Sequence, residues 1–149
     1  MSIDLSADNV TAHMDLTNLA FRNETFDLVV CNHVLEHIPD DRTAMQELLR
    51  VTKMDGVALL NIPYDEKLEQ TYEDWSITAP EARHKAFGQH DHVRMYSRSG
   101  YTRRLRDAGW IVDDVSYGDR FNEQDAKRFG LPVDDARTIF RCHRSSEVK

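Results

Sequence analysis

The sequence predicts an α/β fold built on a mostly parallel sheet with an antiparallel C-terminal strand, and three features carry that prediction. Two short apolar runs rich in β-branched residues, at 26–31 (FDLVVC) and 57–62 (VALLNI), read as strands covered on both faces. Between them, residues 42–52 show apolar positions at helical spacing. Near the C-terminus, two further β-rich segments follow one another without a long helix between them, which suits antiparallel pairing at the side of a parallel sheet.

The helix at 42–52 is announced by Asp40 and Asp41, residues suited to capping, and carries Ala44, Leu48, Leu49 and Val51 on its apolar side. Met54, Asp55 and Gly56 are expected to end it, with Gly56 as the left-handed turn residue. Strand, helix and strand then form a βαβ crossover, a unit that is right-handed in nearly all parallel sheets. Residues 99–108 read as an amphipathic helix with Tyr101, Leu105 and Ala108 on one face and Gly109 closing it. Residues 110–117 and 137–142 are the two C-terminal strands. The stretch 63–96 is long, polar and aromatic with no clean period, as in a functional connection or a lid of short helices. Its Tyr64, Tyr72, Trp75 and Tyr96 either wall an acceptor pocket or pack the segment itself.

Residues 1–149 fit one domain, which at this size buries roughly 68–70% of its unfolded surface. With 40% hydrophobic and 30% charged residues the composition is that of a globular chain, and no apolar run approaches the roughly 18–20 residues of a membrane span. The opening MSIDLSADNV has two aspartates and no cationic lead into an apolar stretch, so a cytoplasmic location is expected. Cys31 and Cys142 both fall in strand-like segments and read as small apolar side chains. A net charge of −7 opposes nucleic-acid binding, which draws on basic patches, and favours a small-molecule or protein substrate. Cations gather between Arg83 and Arg106, either as a local anion contact or as a solvated face.

The run FDLVVCNHVLEHIPDDRTAMQELLRVTKMDG at 26–56, followed by LLNIP, closely resembles the class I S-adenosylmethionine-dependent methyltransferase family. Members carry a strand ending in this manner, then VLEHI, an E-L-x-R-V helix and a glycine turn. A further segment, FGQHDHVRMY at 87–96, resembles an FGQxDHVRxY stretch of some small bacterial members. The resemblance implies a Rossmann-like sheet and S-adenosylmethionine as cofactor. Residues 2–6 match the end of the family's second strand, where Asp4, with Leu5 beside it, falls on the carboxylate that accepts from both ribose hydroxyls. Asp15 matches the residue that accepts from the adenine amino group, and Leu16 supplies the adjacent backbone and an apolar ring contact. Cys31 and Asn32 leave the fourth strand, where members hold the methionine end of the cofactor.

The family opens with a first strand and a glycine-rich loop, whereas no glycine precedes Gly56 here, so weak or absent cofactor binding is expected of this chain. In the family that first strand lies between the second and fourth. Its place is therefore expected to be closed by direct pairing of the second and fourth strands, or by a homodimer formed through an exposed sheet edge.

Methyl transfer from a sulfonium needs alignment and exclusion of water, with a base only where the acceptor must lose a proton. The candidates on the acceptor side are Glu36 and His37 in VLEHI, for which a structural hydrogen bond at the start of the following helix is the alternative, and His92 and Arg94 in DHVR. Asp4 and Asp15 have a structural alternative as turn or capping residues. His33 and His37 stand four apart, as zinc ligands do, but not in HExxH order; His84, His90, Asp91 and His92 form a second histidine-rich group, and no residue is assigned to a metal. The leading expectation is methyl transfer to a small molecule. The alternatives are a non-catalytic module that dimerises or binds a partner, and a metal-dependent hydrolase using the histidine-rich segment.

Overall fold

A computed structural model describes residues 1–116, 123–129 and 138–145. The strand β3, Phe26–Asn32, runs parallel to β4, Thr52–Asn61, and the helix α1, Asp41–Val51, crosses between them. Asp40 caps α1 as expected: its carboxylate accepts from the Thr43 N–H at 3.1 Å and the Thr43 hydroxyl at 2.6 Å. Ala44, Met45, Leu48 and Val51 form the buried stripe.

The end of α1 differs from expectation. Gly56 is not its left-handed cap; the helix stops at Val51, Thr52 is already extended, and the chain enters β4 directly. Phe26 pairs with Thr52 but Leu28 pairs with Val57, so β4 bulges over the intervening residues. Gly56 serves close approach instead. A Cβ there would lie 2.9 Å from the Thr52 methyl and 3.0 and 3.1 Å from the carbonyl oxygens of Phe26 and Asp27.

After the segment that follows β4, helix α3, Arg98–Asp107, is capped by the Ser97 hydroxyl and closed by Gly109 at φ 104°, the left-handed residue expected there. Strand β7, Trp110–Ser116, pairs antiparallel with β8, Thr138–Arg144, which pairs antiparallel with β4, giving the order β3-β4-β8-β7. The expected strand ends at Tyr117 and Arg137 lie outside the described residues. A short helix α4, Glu123–Phe129, is described between the two strands.

The sheet is apolar on both faces but covered unevenly. Cys31, Ala58, Leu60, Phe140, Cys142 and Val112 are buried with Leu48, Val51, Tyr101 and Leu105 of α1 and α3. On the other face the register aligns Leu28 with Val57 and Val30 with Leu59; Leu28, Val30 and Ile111 are 57%, 56% and 41% exposed. The outer edge of β3 has no strand partner among the described residues. Ile3–Asp4 (β1) and Ala12–His13 (β2) form a separate parallel pair, so direct pairing of the second strand with the fourth is not realised.

Within 63–96, Tyr72–Glu73 (β5) pairs antiparallel with Arg94–Met95 (β6), and α2, Pro80–Phe87, opens on a proline and closes at Gly88 with φ 85°. The four aromatics do not gather into one pocket. Tyr96 is buried edge-on against Tyr101, Tyr101 against Phe140 and Phe140 against Tyr64, with centroids 5.0, 4.9 and 5.7 Å apart, while Tyr72 and Trp75 are exposed. No helix of the described residues is long and apolar enough to cross a membrane.

Candidate active site

The C-terminal end of β3 delivers a tight turn. His33 adopts a left-handed conformation at φ 54° and donates its N–H to the Asn61 carbonyl; Leu35–His37 then form a 3₁₀ turn. This geometry drives the Glu36 side chain inward to 1% exposure. From the other side, Val93 donates its N–H to the Glu36 carbonyl, bringing His92 against the turn.

Three imidazoles surround the Glu36 carboxylate. Its Oε1 lies 3.7 Å from His33 Nδ1, 3.9 Å from His37 Nε2 and 4.0 Å from His92 Nε2, all beyond hydrogen-bond length. Both carboxylate oxygens are buried and neither has a hydrogen-bond partner. Burial pushes the Glu36 carboxyl pKa up, against its own backbone amide and the three histidines. The rings of His37 and His92 meet edge to face at 4.7 Å. His92 Nδ1 lies 3.0 Å from the Phe87 carbonyl, an acceptor only, so Nδ1 carries the proton and Nε2 offers a lone pair. His37 Nδ1 faces Asp91 Oδ2 at 3.3 Å, which orients its Nε2 in the same way. A cleft of about 410 Å³ opens here between His33, Glu36, His37, Pro63, Gly88, Gln89, His92 and Met95. A similar volume between Glu66 and Arg106 is a surface trough across the ion pair of Glu66 and Arg98 at 3.8 Å and gathers no comparable chemistry.

Of the expected acceptor-side residues, the structure therefore brings Glu36, His37 and His92 together. The H-x-x-E-H spacing at 33–37, which zinc peptidases use in one of their motifs, was a signal available for Glu36. His84 lies on α2 and His90 is exposed, so of the histidine-rich segment only Asp91 and His92 reach the turn.

Arg94, expected beside the acceptor, does not line the cleft. Its side chain is 1% exposed, and it donates to the carbonyls of Leu35, Ile38 and Pro39 at 2.9, 2.6 and 2.8 Å and to Glu73. Arg104 joins the same network, donating to Asp41 and Glu73 at 2.6 Å each, and Tyr96 donates its hydroxyl to Asp41 at 2.6 Å. Burial works against ionisation of Glu73, yet hydrogen bonds from Arg104 and Arg94 hold its pKa down at about 2. Arg94 is thus a positioning residue that fastens the turn carrying Glu36 and His37 to the strand pair β5–β6.

The expected cofactor residues stand at strand ends. Asp4 Oδ1 accepts from the backbone N–H groups of Ser6 and Ala7 at 2.8 and 3.0 Å, and Asp15 Oδ1 from the Thr17 N–H and hydroxyl at 2.8 and 2.7 Å. These bonds lower both pKa values and realise the turn role that the sequence left open. Both carboxylates are exposed and keep lone pairs beyond these bonds, so each still presents an acceptor, as an adenosine moiety requires. Leu16 is half-buried against the core and Leu5 is exposed. Cys31 is the buried apolar side chain expected: its thiol lies in the core, where burial and then Glu36 push its pKa up to about 12, which leaves its backbone near the strand end. Asn32 is exposed and accepts from the Asn61 amide at 3.0 Å. The residues present fit the adenosine half of S-adenosylmethionine; for the methionine half, the described residues offer the end of β3 and no glycine-rich backbone.

A mostly parallel sheet with acidic residues at strand ends and a cleft beyond β3 defines the Rossmann-like class I methyltransferase fold, of which the described residues form part. The chain belongs to the family of the methyltransferase domain, whose model matches residues 2–115. Similar solved structures agree. An S-adenosylmethionine-dependent methyltransferase from Mesorhizobium loti has a TM-score of 0.62 at 13% identity, over 95% of this chain and 78% of that one. The 1,6-didemethyltoxoflavin-N1-methyltransferase of Burkholderia thailandensis, solved with bound 1,6-didemethyltoxoflavin and S-adenosylhomocysteine, has a TM-score of 0.58 at 13% identity, over 91% of this chain and 50% of that one. At such identities the likeness establishes the fold. No curated protein matches the sequence.

Proposed function

We propose that the chain takes part in S-adenosylmethionine-dependent methyl transfer to a small-molecule acceptor held in the cleft beyond β3. The observation that carries this reading is the convergence, in a domain of the methyltransferase family, of the β3 end with two imidazole lone pairs on one cleft. When bound, the cofactor supplies an electrophilic methyl group. Asp4 accepts from the ribose diol and Asp15 from the adenine amino group through their remaining lone pairs. His92 Nε2, its tautomer fixed by Phe87, takes a proton from an acceptor that must lose one, and His37 orients that acceptor. The α2 segment excludes water from the cleft.

Calorimetric titration with S-adenosylhomocysteine tests the cofactor half. The intact chain should bind saturably, and Asp4→Ala should weaken binding about 10–100-fold through the loss of charge-assisted hydrogen bonds. Absence of binding by the intact chain, or an Asp4→Ala variant of unchanged affinity, would sink the reading.

The uncovered sheet face and open edge of β3 favour a second reading, in which two copies associate through β3. Sedimentation should then give a dimer that Val30→Lys, a charge in the middle of the apolar strip, converts to monomer. A monomeric intact chain would exclude a homodimer.

A further inference from the structure

We propose that Glu36, His37 and His92 form a binding site for one divalent transition-metal ion, with open coordination positions facing the cleft. The inference does not rest on methyl transfer, and it excludes the proton-taking role given to His92 above, because a bound ion occupies the same Nε2 lone pair. It starts from an imbalance of donors and acceptors. His92 Nε2 and His37 Nε2 present lone pairs, because the opposite nitrogen of each ring faces a carbonyl or a carboxylate. The group between them, the Glu36 carboxylate, is acceptor-only when ionised, and both its oxygens are buried and unpaired. While the carboxyl is ionised, three acceptors therefore converge with no donor among them, an arrangement that costs free energy unless a proton or a cation sits between.

The spacing suits a metal rather than a direct contact. One ligand atom from each of the three residues lies within 4.8 Å of the others. The two imidazole nitrogens stand 3.9 and 4.0 Å from Oε1, a few tenths of an ångström beyond the roughly 3.3–3.6 Å between ligands of a tetrahedral ion with bonds of roughly 2.0–2.2 Å, so the three side chains draw slightly together around the ion. The surroundings match as well. A ligating imidazole normally gives its other N–H to a carboxylate or a backbone carbonyl, and Asp91 and Phe87 stand in those two places. Two imidazoles and one carboxylate suit zinc, iron(II) or a neighbouring divalent ion, and three protein ligands leave room for an exogenous one. That room is the cleft, so the ligand class it takes is a small molecule with an oxygen or nitrogen donor. His33 Nδ1, 3.7 Å from the same carboxylate oxygen, borders it.

The test uses the purified chain stripped with EDTA and titrated calorimetrically with Zn²⁺, with Co²⁺ absorption reporting ligand type. One saturable site is expected. Glu36→Gln and His92→Ala should each weaken it at least about 100-fold, and Asp91→Asn, an outer partner, about 10–100-fold. His37→Ala, at a side chain 29% exposed, gives the same answer should the more buried variants fail to fold. His84→Ala and His90→Ala should leave affinity unchanged. No saturable binding by the intact chain, unchanged affinity in Glu36→Gln and His37→Ala, or equal losses in the two control variants would each overturn the site.

Discussion

Replacing Arg94 by alanine should lower the unfolding free energy by about 3–5 kcal/mol, enough to remove much of the stability of a domain this size. The guanidinium is almost fully buried and occupied on all sides: Nε on Glu73, Nη1 on the carbonyls of Leu35 and Ile38, and Nη2 on Pro39. Alanine would leave the carbonyls of Ile38 and Pro39 without donors and Glu73 with Arg104 alone, while Leu35 keeps the Ile38 N–H and the Tyr96 hydroxyl, and each orphaned group costs its own desolvation. Arg94→Lys should recover only part of the loss, because an ammonium cannot span a carboxylate and three carbonyls as a planar fork does. Equilibrium urea denaturation of the three proteins checks this, and a loss below about 1 kcal/mol for alanine would mean that water replaces the guanidinium. The same measurement separates positioning from catalysis. The turn bearing Glu36 and His37 hangs on these carbonyls, so ligand binding at the cleft should fall together with stability in Arg94→Ala.

The sequence reveals elements whose signal is local and hides those made by distant pairs. FDLVVC and the stripe of α1 are legible because apolar periodicity follows directly from burial on one face, and the Asp40 cap because its partner Thr43 is three residues away. Gly56 misleads because a glycine after a helix looks the same whether it supplies a positive φ or close packing, and only the carbonyls of Phe26 and Asp27 decide. Leu28 and Val30 read as doubly covered strand residues, since the pattern records what a strand can bury and not what is present to cover it. Asp4 and Asp15 belong to residue types that serve turns and ligands alike, and here each carboxylate does the first while keeping lone pairs available. Arg94 was legible as a special residue but not in its place: Glu73, its carboxylate partner, lies 21 positions away, in a stretch without periodicity.

Acidification should destabilise the protein through Glu73. Burial would raise the pKa of this carboxyl, but Arg104 and Arg94 outweigh it and bring it from an ordinary 4.5 to about 2. A depressed folded-state pKa contributes stability that is fully present above the unfolded value and is lost as pH falls through the folded one. The window therefore runs downward from about pH 4.5 to about pH 2, with no contribution to the slope near neutrality. Glu73 is only 24% exposed, so screening by water is limited, and the shift corresponds to about 3 kcal/mol in all. Asp4, Asp15, Asp40 and Glu47 are lowered too, through local hydrogen bonds, so the wild-type curve alone would not isolate Glu73. The contrast with Glu73→Gln does. At about pH 7 the variant should be less stable by an amount of that order, because glutamine leaves two arginines facing Asp41 alone, and the two curves should converge as the pH falls from about 4.5 to about 2. Parallel curves across that range, measured by urea denaturation, would mean that Glu73 titrates normally and that the two arginines draw their charge balance from Asp41 instead.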